Sequence, residues 1–230
     1  MKPAILPILI LLAFLPGGCQ AGEKGKAAQP GESIALPQPA LDGKLSLEKA
    51  LLSRRSVRDF KDQALTLSQL SQLLWAAQGI TDPQGFRPAP SAGALYPLEI
   101  YVVVGKVEGL PAGVYKYRPK GHQVVRVLSG DRRKEVARAA LDQEALKQGA
   151  VVLLFSGVYE RTSWKYAERA ERYVHMEAGH AAQNVLLQAT ALGLGAVPMG
   201  AFQDEEVKKV AALLEDERPL LLVPVSVPSQ

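Results

Sequence analysis

Arg54-Arg55-Ser56-Val57-Arg58-Asp59-Phe60 is the stretch on which the reading of this chain turns, because three guanidinium groups and a hydroxyl fall within five of its residues. It follows a short predicted helix, Leu47 to Ser53, that Ser46 can cap and whose Leu47, Leu51 and Leu52 face one way. Guanidinium forks match phosphate oxygens in two-point hydrogen bonds, and a serine adds a neutral donor, so the segment is a phosphate site in miniature. A solvated basic helix end, favourable to the helix dipole, is the other reading, and the segment alone leaves both open.

Working outward, the 230 residues are 47% hydrophobic and 22% charged, which is enough to bury one substantial core. Twenty Gly and sixteen Pro are too few for a collagenous or low-complexity chain. The net charge of +4 is spread along the sequence, so no nucleic-acid partner is expected. One cysteine rules out an internal disulfide framework and any Cys-rich zinc or iron–sulfur site.

Thr66-Leu67-Ser68-Gln69 is a capping box that opens a second helix, with Leu67, Leu70, Leu73, Leu74 and Ala77 at helical spacing and Gly79 at its end. The Pro- and Gly-rich stretch Asp82 to Gly93 reads as a loop. Leu98–Val104, Val114–Arg118 and Gln123–Leu128 are predicted to form a meander. Asp131 can cap a helix to Leu141, and the apolar run Ala150–Val158 reads as a strand covered on both faces. A long helix is expected from Ala167 to Leu192, then a helix from an Asp204 cap to Leu214 and a last strand, Leu220 to Val227. Without strict strand–helix alternation, the fold class is α+β with a mixed central sheet flanked by helices.

Several chemistries find no support. His175 and His180 are five residues apart, about 140° around a helix, and there is no metalloprotease-type HExxH, so metal catalysis lacks a ligand set. Ser91-Ala92-Gly93 lacks the strand-to-helix setting of a nucleophile elbow. Gly193-Leu194-Gly195 follows a helix, the reverse of dinucleotide-binding order, and reads as a helix end.

The opening motif, Arg54 to Phe60, resembles that of the nitroreductase superfamily, whose members hold FMN between the subunits of a homodimer. Three more segments, in the family's order, resemble its SagB-type dehydrogenase branch. They are Pro90-Ser91-Ala92-Gly93-Ala94-Leu95-Tyr96-Pro97; Lys165-Tyr166 with Arg172 to Asn184; and Gly193 to Phe202. The resemblance covers Leu47 to Pro228 and implies a nitroreductase-like, FMN-dependent fold over residues 45–230.

Carried across residue by residue, the resemblance implies that Arg54, Arg55, Ser56 and Arg58 contact the FMN phosphate, ribityl chain or pyrimidine edge. Ser91, Ala92 and Gly93 would approach the ring from a partner subunit, with Met199 and Gly200 along its other side. Gly93 and Gly200 lack a Cβ, which suits a flat ligand, although a simple turn glycine is the plainer reading of each. Gly179, Ala181 and Ala182 would let a partner helix, or an internal one, pack closely. Lys165 and Tyr166 match a pair assigned to proton removal beside the flavin in relatives that oxidise peptide azolines. The family's closing segment usually carries an arginine for the phosphate, and here Val227 stands in its place. The expected activity is hydride transfer through flavin N5 with a small-molecule or peptide substrate. The alternatives are a non-catalytic binding or assembly module and a peptide azoline dehydrogenase.

At the N-terminus, Lys2 precedes a 12-residue apolar run, Ala4 to Leu15, too short to span a bilayer. It reads as a signal peptide over residues 1–18, and Leu15-Pro16-Gly17-Gly18-Cys19 resembles a bacterial lipoprotein box with Cys19 lipidated. Residues 19–44 are expected to form a flexible tether with a reach of roughly 25–30 Å. The expected location is the bacterial cell envelope, anchored to the membrane through lipid; a soluble periplasmic or secreted protein is the alternative.

Overall fold

The computed structural model describes residues 31–229. The expected signal segment over 1–18, Cys19 and the first part of the expected tether lie outside the described residues. A seven-stranded sheet carries the fold, in the order β1-β4-β3-β2-β5-β7-β6. Its strands are β1 (Ser33–Ala35), β2 (Leu98–Val104), β3 (Gly113–Arg118), β4 (Gln123–Ser129), β5 (Val151–Gly157), β6 (Gly195–Ala196) and β7 (Arg218–Ser226). Every pairing between these strands is antiparallel. Against the expected mixed sheet, parallel pairing is confined among the described residues to isolated bridges, Ser56 with Ala196 and Leu65 with Val107.

The central strands are apolar on both faces because both are covered. From β2 and β5, Ile100, Val102, Leu153 and Phe155 face one core with α2 (Leu67–Gln78) and α6 (Ala170–Ala191). Tyr101, Val103, Val152 and Leu154 face the other, with α3 (Arg133–Ala139), α4 (Glu144–Gln148) and α7 (Asp204–Ala211). No helix among the described residues is long and apolar enough to cross a membrane.

Side-chain caps place the first two helix starts. Ser46 caps α1 (Leu47–Ser53) through its side chain, and Thr66 with Gln69 completes the capping box of α2. The expected long helix is divided: α5 (Glu160–Tyr166) stops where Ala167 takes a positive φ of 46°, and α6 begins at Ala170. Gly193, at φ 70°, closes α6 as its reading as a helix end requires. Asp131 sits one residue before the cap of α3, where it accepts from the Arg133 amide. That helix stops short of Leu141, which has φ 58°. Likewise α7 ends at Ala211, before Leu214, with Ala212 left-handed.

The tether expected over 19–44 is corrected where it is described. Ser33–Ala35 adds an edge strand to β4, Leu36 is buried, and Ala40 exchanges two hydrogen bonds with Gln72 on α2, at 2.8 and 3.1 Å. The folded unit therefore begins before residue 45. Composition reads as linker here because the segment is held by backbone pairing, which leaves no side-chain period.

β6 has a second role as the shelf for the arginine-rich stretch. Val57 donates its amide to the Ala196 carbonyl at 3.0 Å, and Gly195 lies so close that a Cβ there would sit 2.7 Å from Val57 Cγ1. Gly195→Ala is therefore expected to destabilise the protein by about 1–3 kcal/mol through overpacking. Denaturant midpoints should show the loss, and Val57→Ala in the same chain should recover part of it.

Candidate active site

The sequence-predicted residues gather into two groups. The first is the arginine stretch with the segment Gly195 to Gly200. Beyond the Val57–Ala196 bond, Lys61 donates to the Val227 carbonyl at 2.9 Å and Ser229 donates to the Asp59 carbonyl at 3.1 Å. The stretch is thus fixed as a strap between β6 and the C-terminal segment. Ser56 and Arg58 are exposed and Arg54 is half-buried. Arg55 turns back and donates to the Leu52 and Arg54 carbonyls at 3.0 and 2.8 Å, so it serves the end of α1. No hydrogen bond or ion pair of the Arg54 or Arg58 guanidinium is formed among the described residues. Arg55 thus serves the helix end, whereas Arg54 and Arg58 form no such bond among the described residues.

Met199 pairs through its backbone with Leu222 in both directions, at 2.8 and 2.9 Å, and its side chain is buried in the second core. The neighbouring Gly200 is exposed, with open space where a Cβ would stand. It borders a cavity of about 560 Å³ shared with Tyr159, His175, Gly179, Phe202 and Arg218.

The second group forms around a tight turn. Ser91 accepts the Tyr96 amide on its Oγ at 2.9 Å, and Gly93 has φ 62°, a conformation that favours glycine. A Cβ on Gly93 would lie 2.9 Å from Tyr166 Oη and 3.0 Å from Lys165 Nζ. The structure therefore brings the Gly93 turn against Lys165 and Tyr166, which lie more than seventy residues further along the chain. The Tyr166 ring meets Tyr173 edge-on at 5.1 Å. Arg161, also on α5, holds the helix in place: it donates to Glu99 at 2.5 Å and to the Tyr96 carbonyl at 3.2 Å. Burial alone would raise Glu99, but Lys116 and Arg161 more than offset it and hold this carboxyl below its ordinary range. No hydrogen bond joins the two groups among the described residues. Gly179, Ala181 and Ala182 do not share a face, since the alanines are buried and Gly179 is exposed.

Sequence reasoning missed Glu177. It is 2% exposed on α6, and its Oε1 has no hydrogen-bond partner. Burial raises its carboxyl to about 7, against weaker opposing effects from Ser91, the Arg87 charge and Gln78. A signal existed: Glu177 falls three residues after Val174 and beside Ala178, in the buried stripe that continues through Ala181 and Val185. Arg87 was missed as well; it donates to Gln78 Oε1 at 2.5 Å and stacks over the Tyr96 ring at 4.2 Å.

A sequence model described as the Nitroreductase family matches residues 51–226. A protein of Methanocaldococcus jannaschii, provisionally named a nitroreductase, is 48% identical over 195 residues, covering 85% of this chain and 97% of that one. A crystal structure from Ralstonia eutropha, also provisionally named a nitroreductase, superposes with a TM-score of 0.76 at 30% identity, over 89% of this chain and 93% of the other. A chain of the Escherichia coli microcin synthetase McbBCD complex, solved with truncated pro-MccB17 bound, superposes with a TM-score of 0.66 at 26% identity, over 85% and 78%.

The buried carboxyl has a measurable consequence for stability. Its folded value of about 7 lies above its ordinary 4.5, so between these values the native state holds a proton that the unfolded chain has released. The stabilisation is fully present below the lower value and is lost as pH rises through the upper one, by roughly 3 kcal/mol. Glu177→Gln is expected to flatten that slope. Denaturant midpoints from about pH 5 to about pH 8 should therefore diverge, with the variant gaining on the native protein as pH rises.

Proposed function

The chain belongs to the nitroreductase family, and from that premise we propose that it is an FMN-dependent oxidoreductase of the SagB-type branch. The observation that carries this reading is the pair of guanidinium groups, Arg54 and Arg58, without acceptors among the described residues and strapped to the strand that leads into Gly200. FMN, when bound, supplies hydride transfer at N5. Arg54, Arg58 and the Ser56 hydroxyl would hold its phosphate. Gly200 leaves the backbone uncovered for a flat ring, and Lys165 and Tyr166 stand over Gly93 as the residues that would hold or move a substrate proton.

The two groups are the halves of one site, joined across a homodimer. The support is an exposed seam. Met176, Gly179, His180 and Gln183 lie along the outer face of α6, and α1, packed against that helix, exposes Leu47, Leu51 and Leu52, the last by 75%. The α1 leucines with Met176 form the exposed apolar part of this face, which is what a second copy would cover. The protein would be exported and held at the membrane by lipid on Cys19, and its substrate would be a small molecule or a peptide.

Val227 bears directly on affinity. It sits one backbone hydrogen bond from Lys61, an exposed cation on the strap, and lacks the charge of the family's arginine. One charge-assisted hydrogen bond is worth roughly 1.5–3 kcal/mol, so Val227→Arg is expected to tighten FMN binding about tenfold to a hundredfold. The purified protein should show a flavin spectrum or bind added FMN in a titration. Colourless protein that binds none, in both the native and the Val227→Arg forms, would exclude the flavoenzyme and leave a binding or assembly module.

The likeness to the microcin synthetase chain, together with the placing of Lys165 against Gly93, favours peptide azoline oxidation as a second reading. Under it, Lys165→Ala should abolish conversion of an azoline peptide while FMN stays bound. Undiminished conversion would rule that reading out.

A further inference from the structure

Around Glu177 on α6, three buried polar atoms lack a well-formed hydrogen bond among the described residues, namely Glu177 Oε1, Gln78 Nε2 on α2 and Arg87 Nε in the loop between α2 and the Ser91–Gly93 turn, and the carboxyl has the Ser91 hydroxyl and the Gln78 amide close beside it. Orphaned buried polar atoms are rare and each calls for a reason. Arg87 does not neutralise the carboxyl by direct pairing, since its Nη1 is engaged by Gln78 Oε1 and its plane by the Tyr96 ring. The remaining charges near Arg87 are Glu99 and Arg161, which bond each other. Glu177 is therefore a buried carboxyl with the Ser91 hydroxyl and the Gln78 amide close by. Ser91 Oγ already accepts the Tyr96 amide, which fixes the hydroxyl and leaves a lone pair for one more donor and its own proton for one acceptor.

We infer that Glu177 is a proton reservoir that serves the redox site through the Ser91 hydroxyl. The inference rests on the oxidoreductase reading above. In a hydride reduction the acceptor gains two electrons and one proton from the reduced flavin and needs a second proton. The Glu177 O–H bond breaks as Ser91 Oγ takes its proton, and the Ser91 O–H bond breaks as its proton passes to the acceptor. The carboxylate then recovers one proton from bulk solvent, so each turnover consumes one proton and leaves no net charge on the product. A group that holds a proton at neutral pH and releases it without large cost suits this task, and its titration range agrees.

Infrared difference spectroscopy on the full chain, without added FMN, reads the first half of this proposal. A carboxylic-acid C=O band should persist to near-neutral pH and titrate at about 7, vanish in Glu177→Gln and shift in Ser91→Ala. In the FMN-loaded protein, Glu177→Gln should lower turnover by roughly a hundredfold and remove the pH dependence near neutrality, with FMN affinity unchanged. Ser91→Ala should reproduce the turnover loss while keeping a protonated Glu177. A carboxyl already ionised at pH 5, or a Glu177→Gln protein with native turnover and pH profile, overturns the inference. Protein that shows the band yet binds no FMN refutes the oxidoreductase reading and the delivery step with it. Protein that binds FMN and lacks the band refutes this inference alone.

Discussion

The hydrogen bond from the Val57 amide to the Ala196 carbonyl is the constraint from which the candidate site follows. It ties a segment of high positive charge to a two-residue edge strand, and the absence of a Cβ at Gly195 is what permits the approach. The segment is fastened on both sides, at Val57 to the β6 carbonyl of Ala196 and at Lys61 to the Val227 carbonyl. Fixed cations without protein acceptors are costly to gather and are most stable when an anion joins them. The geometry is thus prepared before any ligand arrives, which reduces the ordering cost of binding.

A second tension operates at the opposite group. The turn at Ser91–Gly93 is held by Tyr96, and α5 is held by Arg161 on Glu99, which in turn pairs with the buried Lys116. Lys116 also pairs with Glu217, which accepts from Tyr101 at 2.7 Å. This chain of alternating charges runs from the sheet to the helix that carries Lys165 and Tyr166. It satisfies its own members, whereas Glu177 lies outside it, with only Ser91, Arg87 and Gln78 acting on its carboxyl against burial.

The fold was legible wherever a local pattern coincided with burial. The capping signals at Ser46 and Thr66, the meander of β2, β3 and β4 and the doubly covered β5 came directly from side-chain type and period. Features set by backbone alone did not: the β1 strand at Ser33–Ala35, the break at Ala167 and the left-handed ends at Leu141 and Ala212 have no distinctive side chain. The site was legible as separate motifs. Their grouping was not, because the approach of Gly93 to Lys165 depends on two positive-φ turns and on the Arg161–Glu99 ion pair, far apart in sequence. Glu177 was hidden within the Arg172–Asn184 segment because its burial comes from what surrounds it.

If the strapped arginines exist to hold a phosphate, the cofactor's terminal group must decide its affinity. Equilibrium binding of FMN and of riboflavin, which shares the ring and ribityl chain but lacks the phosphate, isolates that contribution in one comparison. The account predicts FMN binding at least about a hundredfold tighter, consistent with two charge-assisted contacts, and a preference that shrinks as salt is raised. Equal affinity for the two, at low and high salt alike, would contradict it.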